Sequence, residues 1–249
     1  MHRETDTKSY AGVEDHDAYA EQLEARLTFL GRFVSDHKKE LIETNLHRRT
    51  RHITLVLEDV YQPQNASATL RTCECLGVQD IHIIENRNAY RLNPGVTLGS
   101  AKWVSLHRYN RAESDNSTEC VRRLRADGYQ LVATALDPPA RLPVYDTRTL
   151  PLERKTAILF GTEELGLQPD TVAACDACLR LPMYGFTQSF NLSVSVGITF
   201  DALVHRIHNS DINWRLSAAE MRLLRLEWYR RIVRRHEFLE REFDAGRIS

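Results

Sequence analysis

The order of apolar runs predicts an α/β fold, with a mostly parallel sheet and helices on both of its faces. Two observations carry this reading. A β-type run at Ile53–Glu58 is followed by a helical stretch over residues 65–76, closed by Gly77, and by a second strand over 81–85. Such a strand–helix–strand unit needs a crossover, and a crossover implies parallel pairing. The alternation then recurs, with strands expected over 130–135, 156–161 and 178–181 and helices between them, and nothing repeats at a fixed period.

Taken in order, residues 1–18 are polar, lack an apolar period and are expected to be disordered or loosely docked. Leu23, Leu27, Leu30 and Val34 make a helical stripe, and Ser35-Asp36 caps a second short helix with Leu41, Ile42 and Leu46. These two helices form an N-terminal extension, 19–50. Residues 86–100 read as a loop around the turn signal Asn93-Pro94-Gly95. A helix over 117–127 precedes the strand at 130, and Asp137-Pro138-Pro139 breaks the chain. A short helix follows Pro169, and a long apolar helix runs over 191–208. The α/β domain is thus expected over 51–209. Ser217-Ala218-Ala219-Glu220 is a capping box that opens one basic C-terminal helix within 210–249, with Met221, Leu224, Trp228 and Ile232 on its apolar face.

Composition bounds the function. A chain of 249 residues, 42% hydrophobic and 27% charged, suits one substantial domain with peripheral elements. No signal peptide and no apolar run of membrane-spanning length is seen, so a cytoplasmic protein without membrane partners is expected. Five cysteines, an odd number, argue against a disulfide framework. Cys175-Asp176-Ala177-Cys178 is a lone pair without further metal ligands at suitable spacing, so buried reduced thiols and no metal are expected. The first strand runs into Glu58-Asp59-Val60-Tyr61-Gln62-Pro63 rather than a Gly-x-Gly-x-x-Gly turn, which disfavours a Rossmann dinucleotide site. With a net charge of −1, no whole-molecule field draws a polyanion. Positive charge is local: His47-Arg48-Arg49-Thr50-Arg51-His52, and Arg222, Arg225, Arg230, Arg231, Arg234 and Arg235 near the C-terminus. Interspersed glutamates also allow a solvated, ion-paired face.

Three blocks carry chemistry. Asn65-Ala66-Ser67-Ala68-Thr69-Leu70-Arg71-Thr72 opens the helix after the first strand. Leu159-Phe160-Gly161-Thr162-Glu163-Glu164-Leu165-Gly166-Leu167 ends a later strand. Leu181-Pro182-Met183-Tyr184-Gly185 leads into Ser189-Phe190-Asn191-Leu192-Ser193. In this order they resemble the three signature motifs of the SPOUT-superfamily RNA 2′-O-ribose methyltransferases, most closely the TrmH group, over roughly residues 50–208. The resemblance implies a deep C-terminal trefoil knot, S-adenosyl-L-methionine (SAM) as cofactor, a homodimer, and a guanosine of the tRNA D-loop as target. Within the superfamily an rRNA target is the alternative; outside catalysis, a knotted RNA-binding protein is.

Residue by residue, the same resemblance assigns Asn65, Arg71, Glu163, Ser189 and Asn191 to the catalytic site. It assigns Thr134, Gly161, Leu181, Met183, Phe190 and Leu192 to the cofactor, with Phe190 standing where the family usually has Leu. Arg71 is a poor base, being almost always charged; binding the target phosphate and stabilising oxyanion charge suits it better. Asn65 also reads as a helix N-cap. A Val at Gly161 is expected to crowd the cofactor slot and leave folding intact. Beside these motifs, Arg48, Arg49, Arg51, Arg230, Arg231, Arg234 and Arg235 are expected to contact RNA phosphates.

Overall fold

A computed structural model describes residues 14–248. The chain forms two compact units. One joins the described residues up to Arg49 with those from Arg215 onward, and the other is Thr50–Trp214. Of the stretch expected to be disordered, residues 1–13 lie outside the described residues, whereas Glu14 already opens helix α1 (Glu14–Gly31). After Ser35 comes α2 (Asp36–Leu46); Ser35 holds the N-cap position in extended conformation, but its side chain makes no capping bond.

The Thr50–Trp214 unit runs β1 (Ile53–Glu58), α3 (Pro63–Cys75), β2 (Asp80–Ile84), α4 (Pro94–Thr97), a 3₁₀ turn at Ser100–Lys102, β3 (Ser105–Tyr109) and α5 (Asn116–Ala126). It continues through β4 (Gln130–Thr134), β5 (Val144–Tyr145), β6 (Thr156–Phe160), α6 (Pro169–Ala173), β7 (Ala177–Leu179) and α7 (Leu192–His208). The seven strands form one sheet in the order β3-β2-β1-β6-β4-β7-β5, and every pairing is parallel. Strands β1, β2 and β6 are buried along their whole length, as expected where helices cover both faces. Ile53, Leu55 and Leu57 of β1 pack with Leu70 and Cys73 of α3 and with Val196, Phe200 and Leu203 of α7. Val56 faces the other way, among Cys120 and Leu124 of α5.

The first unit closes with α8 (Ala218–Ile232) and α9 (His236–Asp244). The capping box forms as read: Ser217 and Glu220 exchange side-chain and backbone bonds. The expected single C-terminal helix is two. Val233 leaves the helix in extended conformation and Arg235 takes a left-handed φ of 56°, a break no sequence signal marked. Strands β3 and β5 are also absent from the sequence reading, and α3 begins at Pro63, so Asn65 lies inside the helix instead of capping it.

The β2–β3 edge holds a polar cluster. The Asp80 carboxylate takes Arg51 Nε at 2.8 Å and His107 Nε2 at 3.1 Å. His82 stacks on His107 with centroids 4.6 Å apart, and its Nδ1 lies 3.0 Å from the Tyr109 hydroxyl. Burial, reinforced by His107 and Arg123 and partly offset by Asp80, holds the His82 imidazole down to about 3. The unfolded chain protonates this histidine near pH 6.5 and the folded one does not. Its contribution is therefore complete above about pH 6.5 and is lost as pH falls toward 3, by about 1.4 kcal/mol per pH unit. His82→Phe keeps the stack and removes the titration. Between pH 7 and pH 5 the variant should lose about 2 kcal/mol less unfolding free energy than the wild type, read from urea melts. An equal loss in both would mean that His82 titrates alike in the two states.

Candidate active site at the strand ends

A strand buried on both faces exposes its polar chemistry only where it ends, and here three segments meet beyond the carboxyl ends of β1, β6 and β7. Proline at the first helical position starts α3 four residues after the left-handed bend at Asp59, which places Asn65 at the end of the sheet, buried. Beyond β6, Gly161 to Leu167 fold into a tight loop closed by the Thr162–Gly166 bridge, with N···O distances of 3.0 Å in both directions. Gly166 sits at φ +67°, which a side chain would resist. A Cβ on Gly161 would lie 2.0 Å from the Gly166 backbone and 2.2 Å from the Leu167 nitrogen. The expectation that Gly161→Val merely crowds a ligand slot is therefore corrected: the space is already filled by the loop's own main chain, and the substitution would wreck that loop.

The loop presents Glu163. Asn65 Nδ2 donates to Glu163 Oε1 at 2.5 Å and to Gln62 Oε1 at 2.9 Å. Asn191 Nδ2 donates to Asn65 Oδ1 at 3.1 Å. Asn191 is the N-cap of α7, its Oδ1 accepting from Ser193 N at 2.9 Å and from Ser193 Oγ at 2.6 Å. The polarity of this chain is set at both ends. A carboxylate can only accept and a backbone N–H can only donate, so neither amide can flip without losing a bond. Both Asn65 N–H groups are used, whereas Asn191 keeps one N–H to offer. Glu163 Oε2 is buried and makes no hydrogen bond among the described residues.

Three of the five expected catalytic residues thus meet in one array: Asn65, Glu163 and Asn191. Arg71 does not join it. Six residues along α3 separate it from Asn65, about 9 Å in rise and about 120° in rotation, and it stands exposed. Ser189 is exposed in the loop before α7, outside the array. Among the expected cofactor residues, Thr134 Oγ1 donates to Leu159 O at 2.8 Å. Leu181 and Met183 are half-buried, the Phe190 ring is exposed, and the Leu192 side chain is buried in the core, leaving only its backbone to face a ligand.

The cationic expectations need correction. Arg49 is 2% exposed with its guanidinium 5.3 Å from the Trp228 ring centroid, so it packs and cannot reach a phosphate. Arg51 is paired with Asp80, Arg230 with Glu240, and Arg231 with Glu227. Arg48, Arg234 and Arg235 are exposed. Burial pushes the Cys175 thiol up to about 12 and raises that of Cys178, which keeps both protonated. Among the described residues no cluster of metal-binding side chains occurs, and no helix is long and apolar enough to cross a membrane. Sequence reasoning missed Gln62 and Glu58, which hold this site; their only signal was position, at the end of β1 and just before α3.

Residues 52–201 match the SpoU rRNA Methylase family. A tRNA (guanosine(18)-2′-O)-methyltransferase of Borreliella burgdorferi is 44% identical over 215 residues, covering 86% of this chain and 94% of the relative. The crystal structure of the Aquifex aeolicus TrmH/SpoU tRNA modifying enzyme superposes with a TM-score of 0.67 at 25% identity, covering 85% of this chain and 99% of that one. An AdoMet-bound rRNA methyltransferase from Sinorhizobium meliloti superposes with a TM-score of 0.53 at 25% identity, over 67% of this chain and 60% of that one. With three motif blocks gathered at the ends of an all-parallel sheet, and with these likenesses, the chain belongs to the SpoU rRNA methylase family.

Proposed function

We propose that this protein is a SAM-dependent RNA 2′-O-ribose methyltransferase that modifies a guanosine in the D-loop of tRNA. The carrying observation is the Asn191–Asn65–Glu163 array, which joins residues 98 and 126 positions apart into one hydrogen-bonded unit. The Borreliella relative's tRNA target supports the choice of substrate. The cofactor reading is supported by the AdoMet-bound relative and by the donor set here. Half-buried Leu181 and Met183 offer apolar sides, and the main chain after Thr134, Phe160 and Leu179 offers polar edges, the mixture an adenosyl group needs. SAM supplies an electrophilic methyl group. The chain's residues hold the acceptor: Asn191 offers its remaining N–H to the target ribose, Glu163 and Asn65 keep that N–H aimed, and Ser189 lies beside it in sequence. Arg71 binds the target phosphate and offsets charge developing on the 2′-oxygen. The sheet order, with β7 lying between β4 and β5, supports the superfamily's knotted C-terminal portion.

A homodimer fits the surface of α7. Val194 and Ile198, one turn apart on α7, are 46% and 41% exposed, and Phe190 just before the helix is 42% exposed, an apolar patch left open by the described residues. A second copy would also bring an Arg71 to a site that lacks one. Val194→Glu should shift the protein to monomer in sedimentation at micromolar concentration and cost most of the activity. A monomeric wild type of full activity would exclude the dimer.

Labelled SAM with total RNA, followed by mapping of the modified nucleoside, tests the function directly. Label in a tRNA 2′-O-methylguanosine is expected; label confined to rRNA, or none, would overturn the assignment.

A pair of variants separates binding from chemistry. Arg234→Ala combined with Arg235→Ala should weaken tRNA binding and lower its salt slope by about one per lost phosphate contact, with single-turnover rate unchanged. Arg71→Lys retains charge but loses the planar multi-donor fork, so its single-turnover rate should fall by about a hundredfold with little loss of SAM or tRNA affinity. A wild-type rate in Arg71→Lys would leave that residue as an RNA contact only.

A further inference from the structure

Glu58 ends β1 with its side chain on the α5 face of the sheet, 1% exposed. A buried carboxylate is tolerated where donors engage it, and three do, one from α5 and two from the start of α6. Ser117 Oγ of α5 donates to Oε1 at 2.6 Å, and Thr171 Oγ1 of α6 donates to the same oxygen at 2.5 Å. The backbone N–H of Gln168 donates to Oε2 at 2.7 Å. This third bond differs in kind from the other two. Gln168 is the N-cap of α6, the residue immediately after the loop that carries Glu163. One end of that loop is held by β6; the other is held by Glu58.

The next residue extends the same clamp. Asp59 takes a left-handed φ of 56°, and its Oδ1 accepts from the N–H groups of Asn86 at 2.7 Å and Arg87 at 2.8 Å. The Arg87 guanidinium in turn donates to Gln168 Oε1 at 2.9 Å. Both the main chain and the side chain of Gln168 are therefore tied to the end of β1, directly through Glu58 and by way of Asp59 and Arg87.

We propose that Glu58 is a positioning residue of the active site, fixing the Gly161–Leu167 loop through the Gln168 N–H so that Glu163 meets Asn65 and the loop backbone lines the cofactor slot. The proposal rests on the SAM site described above. Reach is what selects glutamate here. Aspartate keeps the charge but retracts the carboxylate by about 1.5 Å, too far to span α5, α6 and the loop together. Glutamine keeps the reach and one oxygen for Gln168, and the two hydroxyls rotate to accept from its amide.

Calorimetric SAM binding and thermal melting of the full chain test this on four variants. Gln168 has φ −63°, which suits proline, so Gln168→Pro removes the N–H with little backbone strain. Gln168→Ala keeps the N–H and gives up the Oε1 tie to Arg87, as Gln168→Pro also does, so comparing the two isolates the N–H. Glu58→Asp and Gln168→Pro should weaken SAM binding by about tenfold or more, the scale of a displaced loop, with tRNA affinity within about twofold of wild type. Glu58→Gln should recover SAM affinity to within about threefold, and Gln168→Ala, which loses only the Arg87 tie, should also stay within about threefold of wild type. A residue that only packs the core would lower the melting temperature and leave SAM affinity of the folded fraction unchanged in every variant, which would overturn the proposal. Wild-type affinity in Gln168→Pro overturns it even where the Glu58 variants fail to fold. Should the wild type bind no SAM, the proposed function fails instead. Hydrogen exchange over residues 161–168 then decides alone: lost protection in Gln168→Pro upholds the clamp, and unchanged protection removes it.

Discussion

Burial of β1 on both faces is the constraint on which the rest of this structure depends. Flanked by β2 and β6 and covered by α3 and α7 on one side and α5 on the other, the strand has no solvent face on which to carry chemistry. Its polar residues are therefore confined to where the strand stops, and the stop is abrupt. Glu58 and Asp59 are both 1% exposed, adjacent, and point into different neighbourhoods because the chain turns through a left-handed residue between strand and helix. Buried acceptors of this kind force donors toward them. One of those donors, the Gln168 N–H, closes the loop that presents Glu163 to Asn65. Core packing and site geometry are coupled at this one turn.

The array itself shows how a site can be oriented without a strong base or a metal-binding cluster among its own side chains. Each amide in Asn191–Asn65–Glu163 is polarised by the next, and the direction is imposed by an acceptor-only group at one end and donor-only backbone at the other. Such a chain holds a single N–H in a fixed direction at little entropic cost during reaction, because no group has to reorganise. It also leaves the site incomplete. Arg71 lies a helical turn and a half away on another face of α3, and Ser189 remains on an exposed loop. In the proposed enzyme, completion of the constellation would fall to what docks there, RNA or a second copy with its own Arg71.

Much of this was legible in the sequence, and the failures have physical causes. Strands β1 and β6 announced themselves because strands buried on both faces must be continuous apolar runs. Strand β3, Ser-Leu-His-Arg-Tyr, sits at the sheet edge with half-exposed side chains and so carries no apolar run to read, and β5 is two residues long. Asn65, Glu163 and Asn191 were found through their motifs, since no local pattern reveals contacts across 98 and 126 residues. The buried role of Glu58 went unread for the same reason: its three donors come from positions 59, 110 and 113 residues away.

Charge was the least legible property, because sequence counts cations without saying what neutralises them. The run Arg48-Arg49-Thr50-Arg51 reads as one basic patch, yet Arg49 is buried over Trp228, Arg51 is paired with Asp80, and only Arg48 is exposed. Near the C-terminus the left-handed Arg235 splits the expected helix, and the turn so formed allows α9 to bring Glu240 onto Arg230 while Glu227 takes Arg231 within α8. Partial burial of these pairs ties their worth to remaining paired, since a stripped partner would leave a charge in a poorly hydrated place. Exposed positive charge is instead spread over the surface, at Arg48, Arg71, Arg91, Arg154, Arg180, Arg234 and Arg235 among others. For a chain with a net charge of −1, the RNA of the proposed reaction would be met by single guanidinium groups at particular places, not by a general positive field. In the proposed reaction an array of two amides and a carboxylate brings no cation of its own to the ribose, so the acceptor is selected there by shape and register, and charge acts from the arginines around it.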